Sequence, residues 1–376
     1  MRYEIGFINE SYRRFFEQHS QEIMDALWGC YSKGDFVLRD EVEKFERNLC
    51  KFTGAKYAIG VNSGTDALKI AYKALELKPG DEVITVGHVF IAPMQEIVHH
   101  GARPVLVDVG EDGLMNPDLI ESAITKRTVG IVPIHLSGKV CDMKKIMAIA
   151  KRYHLWVVED ACQALGAVYQ GKKAGTIGDI GCFSHIAPKT LGVGGDAGSI
   201  ITNNKKLAEN MSLLRNHYNI TQGVLHGHQP KAPKVMDWGY NSRLDNIHAA
   251  VLNIKIKHYP KMLKRRKQIA RMYNTGLYGL PIKLPIQYDG QIYQEYIVEV
   301  SDVWAFKSSM DKKGIEVLIR DTTPNHKMYE WYFGKLSLPI TEKLAVGSVR
   351  LPIYPELKDI EVRTIIKAIN TYYAKK

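Results

Sequence analysis

The sequence predicts an α/β fold, with a mostly parallel seven-stranded sheet in a large domain and a smaller α+β domain after it. Three observations carry this expectation. Short apolar runs bounded by Gly, Pro, Asp or Asn recur between residues 57 and 202, with the continuous apolar character of strands buried on both faces. Amphipathic helical stretches separate most of them. Beyond residue 202 the alternation stops and a different texture begins.

Taken in order, the expected strands are 57–61 (YAIGV), 82–86 (EVITV), 104–107 (PVLV), 130–133 (GIVP), 155–158 (LWVV), 181–184 (GCFS) and 198–202 (GSIIT). Most are rich in β-branched residues. Residues 65–77 place Leu68, Ala71, Tyr72 and Leu75 on one helical face, and 143–153 do the same with Ile146, Met147 and Ala150. A helix is expected at 205–214. Residues 216–238 are polar and rich in Gly, His and Pro, which predicts a long loop. A long helix from 244 to about 273 joins the two domains, 1–255 and 256–376. Strands at 294–300 and 315–319 and a helix near 360–373 make up the smaller one.

Composition narrows the function classes. The chain has 376 residues, 45% hydrophobic and 24% charged, which is a folded globular composition. No run of about 18 apolar residues occurs, and the charged N-terminus lacks a signal-peptide core. The five cysteines show no CxxC spacing, so neither a disulfide framework nor a metal cage is expected. These features fit a cytoplasmic protein with reduced thiols. The net charge is +11, but the basic residues are spread along the chain. The cluster Lys261, Lys264, Arg265, Arg266, Lys267 reads as a solvated face, and no interleaved aromatic and basic motif points to nucleic acid.

Three motifs bear chemistry. Asn62-Ser-Gly-Thr-Asp-Ala-Leu68 follows a strand and opens a helix, which suits a phosphate; an ordinary Ser/Thr helix cap is the plain alternative. Asp160 stands at the carboxyl end of a buried strand, where open α/β sheets bind ligands, and could hold a protonated ring nitrogen or cap the next helix. Lys189 sits in a Gly-dense loop after a strand, as a Schiff-base lysine or as a surface lysine. Phosphate cradle, strand-end acid and loop lysine, in that order, are what a pyridoxal phosphate enzyme needs.

With these residues in place, the chain resembles the DegT/DnrJ/EryC1/StrS family of nucleotide-sugar aminotransferases, of the fold-type-I pyridoxal phosphate class. The match spans almost the whole chain. It includes Gly34-Asp-Phe-Val-Leu38 with Glu46, Ser63-Gly-Thr-Asp-Ala-Leu68, Phe90-Ile-Ala92, His135-Leu-Ser-Gly138, Glu159-Asp-Ala-Cys-Gln163, Cys182-Phe-Ser184, Pro188-Lys-Thr-Leu-Gly192, Gly195-Asp-Ala-Gly198, Gly239-Tyr-Asn-Ser-Arg-Leu244, Pro324-Asn-His326 and Leu351-Pro-Ile-Tyr-Pro355. The resemblance implies that Lys189 carries pyridoxal 5'-phosphate and shuttles protons. It further implies that Asp160 pairs with the ring nitrogen, Gln163 contacts the phenolic oxygen and Phe90 stacks on the ring. Gly64, Thr65 and Ser184 would bind the phosphate, and Asn241 would reach the phosphate of a neighbouring subunit in a homodimer with shared sites. The 216–238 loop would then lie near the partner's site.

Departures from the family pattern are His185 where an aromatic is usual, Val86-Gly87-His88, Leu38-Arg39-Asp40, and Ala197. His185 either alters the substrate pocket or fills the same space. A dehydrating branch of the family carries His in place of Lys189, so transamination is expected here. Asn241-Ser-Arg-Leu-Asp245 resembles enzymes that aminate C3 of a keto-sugar. The expected reaction is transfer of an amino group, usually glutamate's, to a nucleotide-linked keto-deoxysugar. A 4-keto sugar or a cyclitol ketone is the alternative substrate. A non-enzymatic cofactor-binding regulator is the other reading, and the few residues before the match are too short for a DNA-binding module.

Overall fold

The computed structural model describes residues 3–219, 237–320 and 322–374. Seven strands form the main sheet: β1 (Tyr57–Val61), β2 (Glu82–Val86), β3 (Arg103–Val107), β4 (Thr128–Ile131), β5 (Trp156–Asp160), β6 (Ile180–Ser184) and β7 (Gly198–Thr202). Their order is β1-β7-β6-β5-β4-β2-β3. All neighbours are parallel except β7, which is antiparallel to both β1 and β6. The exception has a simple cause. β6 returns into β7 through residues 185–197 alone, and a parallel return needs a crossover that spans the sheet. That return loop therefore sits at the carboxyl end of the parallel strands, and it carries Lys189.

The strands match the sequence expectation with small shifts. β4 begins and ends two residues earlier than 130–133, and β5 runs on to include Asp160. The helix expected at 65–77 is Gly64–Ala74 (α3), capped by the Ser63 hydroxyl, which accepts from the Asp66 N–H at 3.0 Å. Helix α4 is Met143–Tyr153, α5 is Lys205–Leu214, and the long helix α6 is Asn246–Gly276. The expected 216–238 loop lies outside the described residues from 220 to 236.

Two helices in front of the sheet were not anticipated: α1 (Ile8–Tyr31) and α2 (Asp40–Thr53). Both are densely charged, which dilutes the apolar stripe on which a helix is read. The second buries Val42, Phe45, Glu46 and Leu49. Glu46 accepts from the Gly60 N–H in β1 at 2.8 Å and pairs with Arg215, just after α5, at 2.5 Å. Both side chains are nearly inaccessible. This pair ties a helix on one face to the strand that feeds the 62–65 loop.

A three-stranded antiparallel sheet forms the C-terminal unit, with Tyr296–Glu299 (β8) and Leu318–Ile319 (β9) flanking a central Ser348–Leu351 (β10). The strands expected at 294–300 and 315–319 are shorter than read, and β10 was missed because four residues with a central Arg give little period-two signal. The helix Asp359–Tyr373 closes this unit. The buried apolar residues form one large cluster around the main sheet, a second around β8, β10 and the last helix, which also includes Ile5, and a small third one of Met94, Leu106 and Leu338. The basic cluster in α6 is only partly a solvated face. Lys261 and Lys264 are exposed, but Arg266 is buried and donates to the carbonyls of Tyr293 and Ile353 at 3.0 and 2.9 Å.

Glu46→Ala should remove the buried carboxylate that meets the Arg215 guanidinium. We expect a loss of about 3–5 kcal/mol in urea unfolding with an unchanged m-value; a loss below 1 kcal/mol would show that the pair does not anchor the helix.

Candidate active site

The carboxyl ends of the parallel strands converge on one cavity of about 380 Å³. It is lined by Gly64, Thr65, Phe90, Asp160, Gln163, Ser184 and Lys189, with His135 and Cys162 also in its wall. Seven of the eight residues expected from sequence thus meet in one place. The eighth, Asn241, does not line it: Asn241 is exposed, and its backbone bridges Asn216.

The 63–65 turn is built for close approach. A Cβ at Gly64 would lie 2.7 Å from the Ser184 Cβ, so only glycine fits where β6 passes the helix start. A Cβ at Gly198 would lie 2.2 Å from the Ser63 carbonyl oxygen, so the start of β7 must also be bare. Ser63 caps the helix through its own hydroxyl, as noted. Gly64 and Thr65 line the cavity at the positive end of α3, where the first-turn N–H groups lack helical partners.

Asp160 is fixed through its strand. Its N–H donates to Pro133 at 3.0 Å, its carbonyl accepts from the His135 N–H at 2.9 Å, and its Oδ1 accepts from the Cys162 N–H at 3.1 Å. The neighbouring Glu159 points to the opposite side and is fully buried. It accepts from the N–H groups of Gly175, Ile177 and Gly178 at 2.8, 2.7 and 2.6 Å and from His135 Nε2 at 2.8 Å. Gln163 Oε1 accepts from the Ser137 N–H at 2.8 Å, which leaves its amide NH2 as a donor toward the cavity. Burial pushes the Cys162 and Cys182 thiols well above their ordinary range, so neither is a reactive thiolate.

The lysine loop is held from beneath. The His185 N–H donates to Ala197 and its carbonyl accepts from Val193, at 2.7 and 2.8 Å. Its buried ring bonds the Leu191 carbonyl through Nδ1 at 2.9 Å and the Ser199 hydroxyl through Nε2 at 2.8 Å. The carbonyl can only accept, so Nδ1 bears the proton and Nε2 accepts from Ser199. The ring lies outside the cavity wall, so this departure does more than fill space: it pins the loop. Lys255 Nζ donates to the Gly192 carbonyl at 2.8 Å, and burial lowers its pKa to about 8. Gln294 brackets Lys189 from the C-terminal unit, accepting from the Thr190 N–H and donating to the Pro188 carbonyl, both at 2.9 Å. The half-buried Lys189 has no hydrogen-bond or ion-pair partner for Nζ among the described residues.

Phe90 stands in the loop after β2 with 69% of its surface exposed, so a ring face is open for stacking. Asn325 holds that loop, its amide donating to the carbonyls of Gly87 and Val89. The motifs His135-Leu-Ser-Gly and Pro324-Asn-His were visible in the sequence. Their partners, Glu159 and the 87–89 backbone, were not.

With this geometry in view, the comparisons with known proteins are decisive. Residues 17–370 match the model of the DegT/DnrJ/EryC1/StrS aminotransferase family. The chain belongs to that family. Among its relatives, the dTDP-3-amino-3,6-dideoxy-alpha-D-galactopyranose transaminase of Aneurinibacillus thermoaerophilus is 36% identical over 97% of each chain. A Geobacillus stearothermophilus protein described as a pleiotropic regulatory protein is 35% identical over 95% of this chain and 96% of its own. The crystal structure of S. venezuelae DesV in complex with a ketimine intermediate superposes with a TM-score of 0.89, at 34% identity over 96% of both chains. The chain is accordingly a fold-type-I aminotransferase, and pyridoxal 5'-phosphate is its cofactor. The residues present fit that group: a bare cradle at Gly64, a strand-end carboxylate, an amide donor, an open aromatic face and an unengaged lysine. Among the described residues no His/Cys/Asp/Glu cluster could hold a metal ion, and no helix is long and apolar enough to cross a membrane.

The His185 anchor predicts an acid sensitivity. Burial lowers the ring's pKa to about 4 in the folded chain, against about 6.5 unfolded. The unfolded chain therefore binds the proton more readily in this window, so the stabilisation is full above about pH 6.5 and declines as pH falls toward 4. The total is about 3 kcal/mol. The stability deficit of His185→Gln against the native chain should be larger at pH 7 than at pH 4.5 in denaturant titrations; an equal deficit at both values refutes the assignment.

Proposed function

We propose that this aminotransferase moves the amino group of an amino acid, preferentially glutamate, onto C3 of a nucleotide-linked keto-deoxysugar. One observation carries the reading: the loop lysine, the strand-end acid and the glycine cradle share one cavity, in a chain 36% identical to a 3-amino-sugar transaminase.

The residues divide the work as follows. The first-turn N–H groups of Gly64 and Thr65, with the Ser184 hydroxyl, bind the cofactor phosphate at the helix N-terminus. Asp160 accepts a charge-assisted hydrogen bond from the ring nitrogen and keeps it protonated. Gln163 donates its amide to the phenolic oxygen, and Phe90 covers the ring. When bound, the cofactor supplies the electron sink that lets an amino group change carriers. Lys189 would hold the cofactor through Nζ, and that nitrogen, once freed by the incoming amine, would take the proton from the donor carbon and deliver it to the carbon to which the lysine had been joined. The donor leaves as its keto acid before the keto-sugar enters, so the kinetics are ping-pong.

The same reading includes the two-domain division at residue 255, a cytoplasmic location and a homodimer with shared sites. The two larger apolar clusters support a division into two units, the first of them running on through Leu263 of α6. For the last, Met24, Trp28 and Tyr31 form an exposed apolar stripe along α1, the helix Ile8–Tyr31, and Asn241 is exposed and does not line its own chain's cavity.

The direct test loads the enzyme with the amine form of the cofactor and adds nucleotide keto-sugars. A 3-keto sugar should restore the absorption of the aldehyde form. Response only to 4-keto sugars or cyclitol ketones moves the substrate assignment. Bound cofactor with no response to any ketone favours the regulator reading, which the name of one relative suggests.

Lys189→Ala should abolish turnover with unchanged circular dichroism. Asp160→Ala should lower kcat/KM by at least about tenfold, equivalent to 1.4 kcal/mol of barrier; a smaller loss would make the acid a helix cap. For the dimer, inactive Lys189→Ala and Asn241→Ala chains are mixed and allowed to exchange. Shared sites leave one intact site per heterodimer, so activity rises above either parent. A monomer by sedimentation, or no rise despite exchange, counts against it.

A further inference from the structure

On the far side of Lys189 lies a second cavity of about 110 Å³, and Gln163, Pro188 and Lys189 line both. The two spaces therefore meet at the lysine. The walls of the smaller one carry Arg266, Arg350 and Lys189 against a single acid, Glu295. Two of its other polar side chains are already engaged. Both ends of the Gln294 amide hold the lysine loop, and the Tyr354 hydroxyl donates to the Gly6 carbonyl at 3.1 Å.

The two guanidinium groups are not fully used. Arg266 is 5% exposed, and its buried Nε has no hydrogen-bond partner. The Nε of Arg350 is likewise buried and without a partner. Leaving such donors buried and unpaired is costly unless something occupies the space beside them. Arg350 is held in place by a buried network. Its Nη1 donates to Glu295 Oε1 at 2.9 Å, while Glu295 Oε2 accepts from Ser137 Oγ at 2.8 Å and from Arg320 Nη1 at 3.0 Å. Burial would raise the Glu295 pKa, but the two arginines outweigh it and hold the carboxyl near 2, ionised throughout. Glu295 thus orients two arginines without neutralising both, and the cavity keeps an excess of positive charge.

We infer that this cavity is a carboxylate subsite for the amino donor, with Arg350 as the principal binding residue, Arg266 lining its floor, and Glu295 and Arg320 as positioning residues. This rests on the transaminase reading above. Size and place favour the donor as the source of the carboxylate. The space is smaller than the roughly 150 Å³ that admits a benzene ring, so it takes a carboxylate on a short arm but no hexose ring. It also adjoins the amine-handling lysine, where an amino acid must place its nitrogen. A planar, bidentate guanidinium is the group that selects a carboxylate over a neutral amine.

The test uses the holoenzyme and glutarate, which has the carboxylates of a dicarboxylic donor but no amine to react. Calorimetry should detect glutarate binding to the native enzyme. Arg350→Gln should weaken it by at least tenfold, and Arg350→Lys, which keeps the charge but loses the fork, by less. In steady-state kinetics kcat/KM for L-glutamate should fall in parallel, while kcat/KM for the keto-sugar, which reports the other half-reaction, should not. Unchanged glutarate affinity in Arg350→Gln overturns the inference. So does a loss confined to the keto-sugar, which would assign the carboxylate to the sugar. If Arg350→Gln does not fold, Arg350→Lys and Glu295→Gln decide through the same binding measurement. A native enzyme that binds glutarate but accepts no amino donor refutes the transaminase reading and leaves the subsite standing.

Discussion

The buried carboxylate of Glu159 is the constraint from which the rest of the site follows. A carboxyl group with no access to water must find donors for its oxygens, or its burial costs several kcal/mol. Here three consecutive-region backbone N–H groups and the His135 ring surround it. Satisfying Glu159 therefore fixes the 175–178 turn, the His135 ring and the end of β5 together. Successive strand residues face opposite sides, so locking Glu159 on one side aims Asp160 at the cavity on the other. His135 in turn sets the 135–138 turn, whose Ser137 holds both Gln163 and Glu295. A single buried carboxyl group thus orients groups in both cavities that meet at Lys189.

The lysine loop poses the opposite problem. It is a return between two adjacent strands, rich in glycine and with only a few backbone hydrogen bonds of its own. Polar side chains from distant segments supply what a helix or strand would otherwise provide. Tyr12 donates to the Val193 carbonyl, Lys255 to Gly192, Gln294 spans Pro188 and Thr190, and Tyr259 meets the Thr190 hydroxyl. The contributors come from the N-terminal helix, the long helix α6 and the C-terminal unit. Lys189 is left as the side chain in this loop with an unengaged head, which is what a covalent cofactor carrier requires. The supporting lysine is distinguished by its carbonyl partner and its burial.

The two units of the chain contribute unequally. The main sheet supplies the cradle, the acid and the lysine at its carboxyl edge, as open α/β sheets do. The C-terminal unit supplies no residue to the larger cavity. It acts by holding: Asn325 on the loop of Phe90, Gln294 on the loop of Lys189, and the Arg320–Glu295–Arg350 network on the smaller cavity. Any motion of that unit would be felt by both loops at once, since each is bonded to it through a side-chain amide.

The sequence by itself determined the strands of the main sheet, because continuous apolar runs buried on both faces are a local signal. It also pointed to Gly64, Thr65, Asp160 and Lys189, whose chemistry is carried by short motifs at strand ends, while Phe90, Gln163 and Ser184 came from the resemblance to a family. It did not disclose the two N-terminal helices, whose dense charge masks their apolar faces, nor β10, too short to show a period. It read Arg266 as part of a solvated run, although that residue turns inward. Only the tertiary structure decided what His185 does, what encloses Glu159, and how Arg320, Glu295 and Arg350 meet. Those pairings join residues far apart in the chain. A charged side chain's partner is chosen by the packing around it, and a sequence records the charge without the neighbour that burial forces upon it.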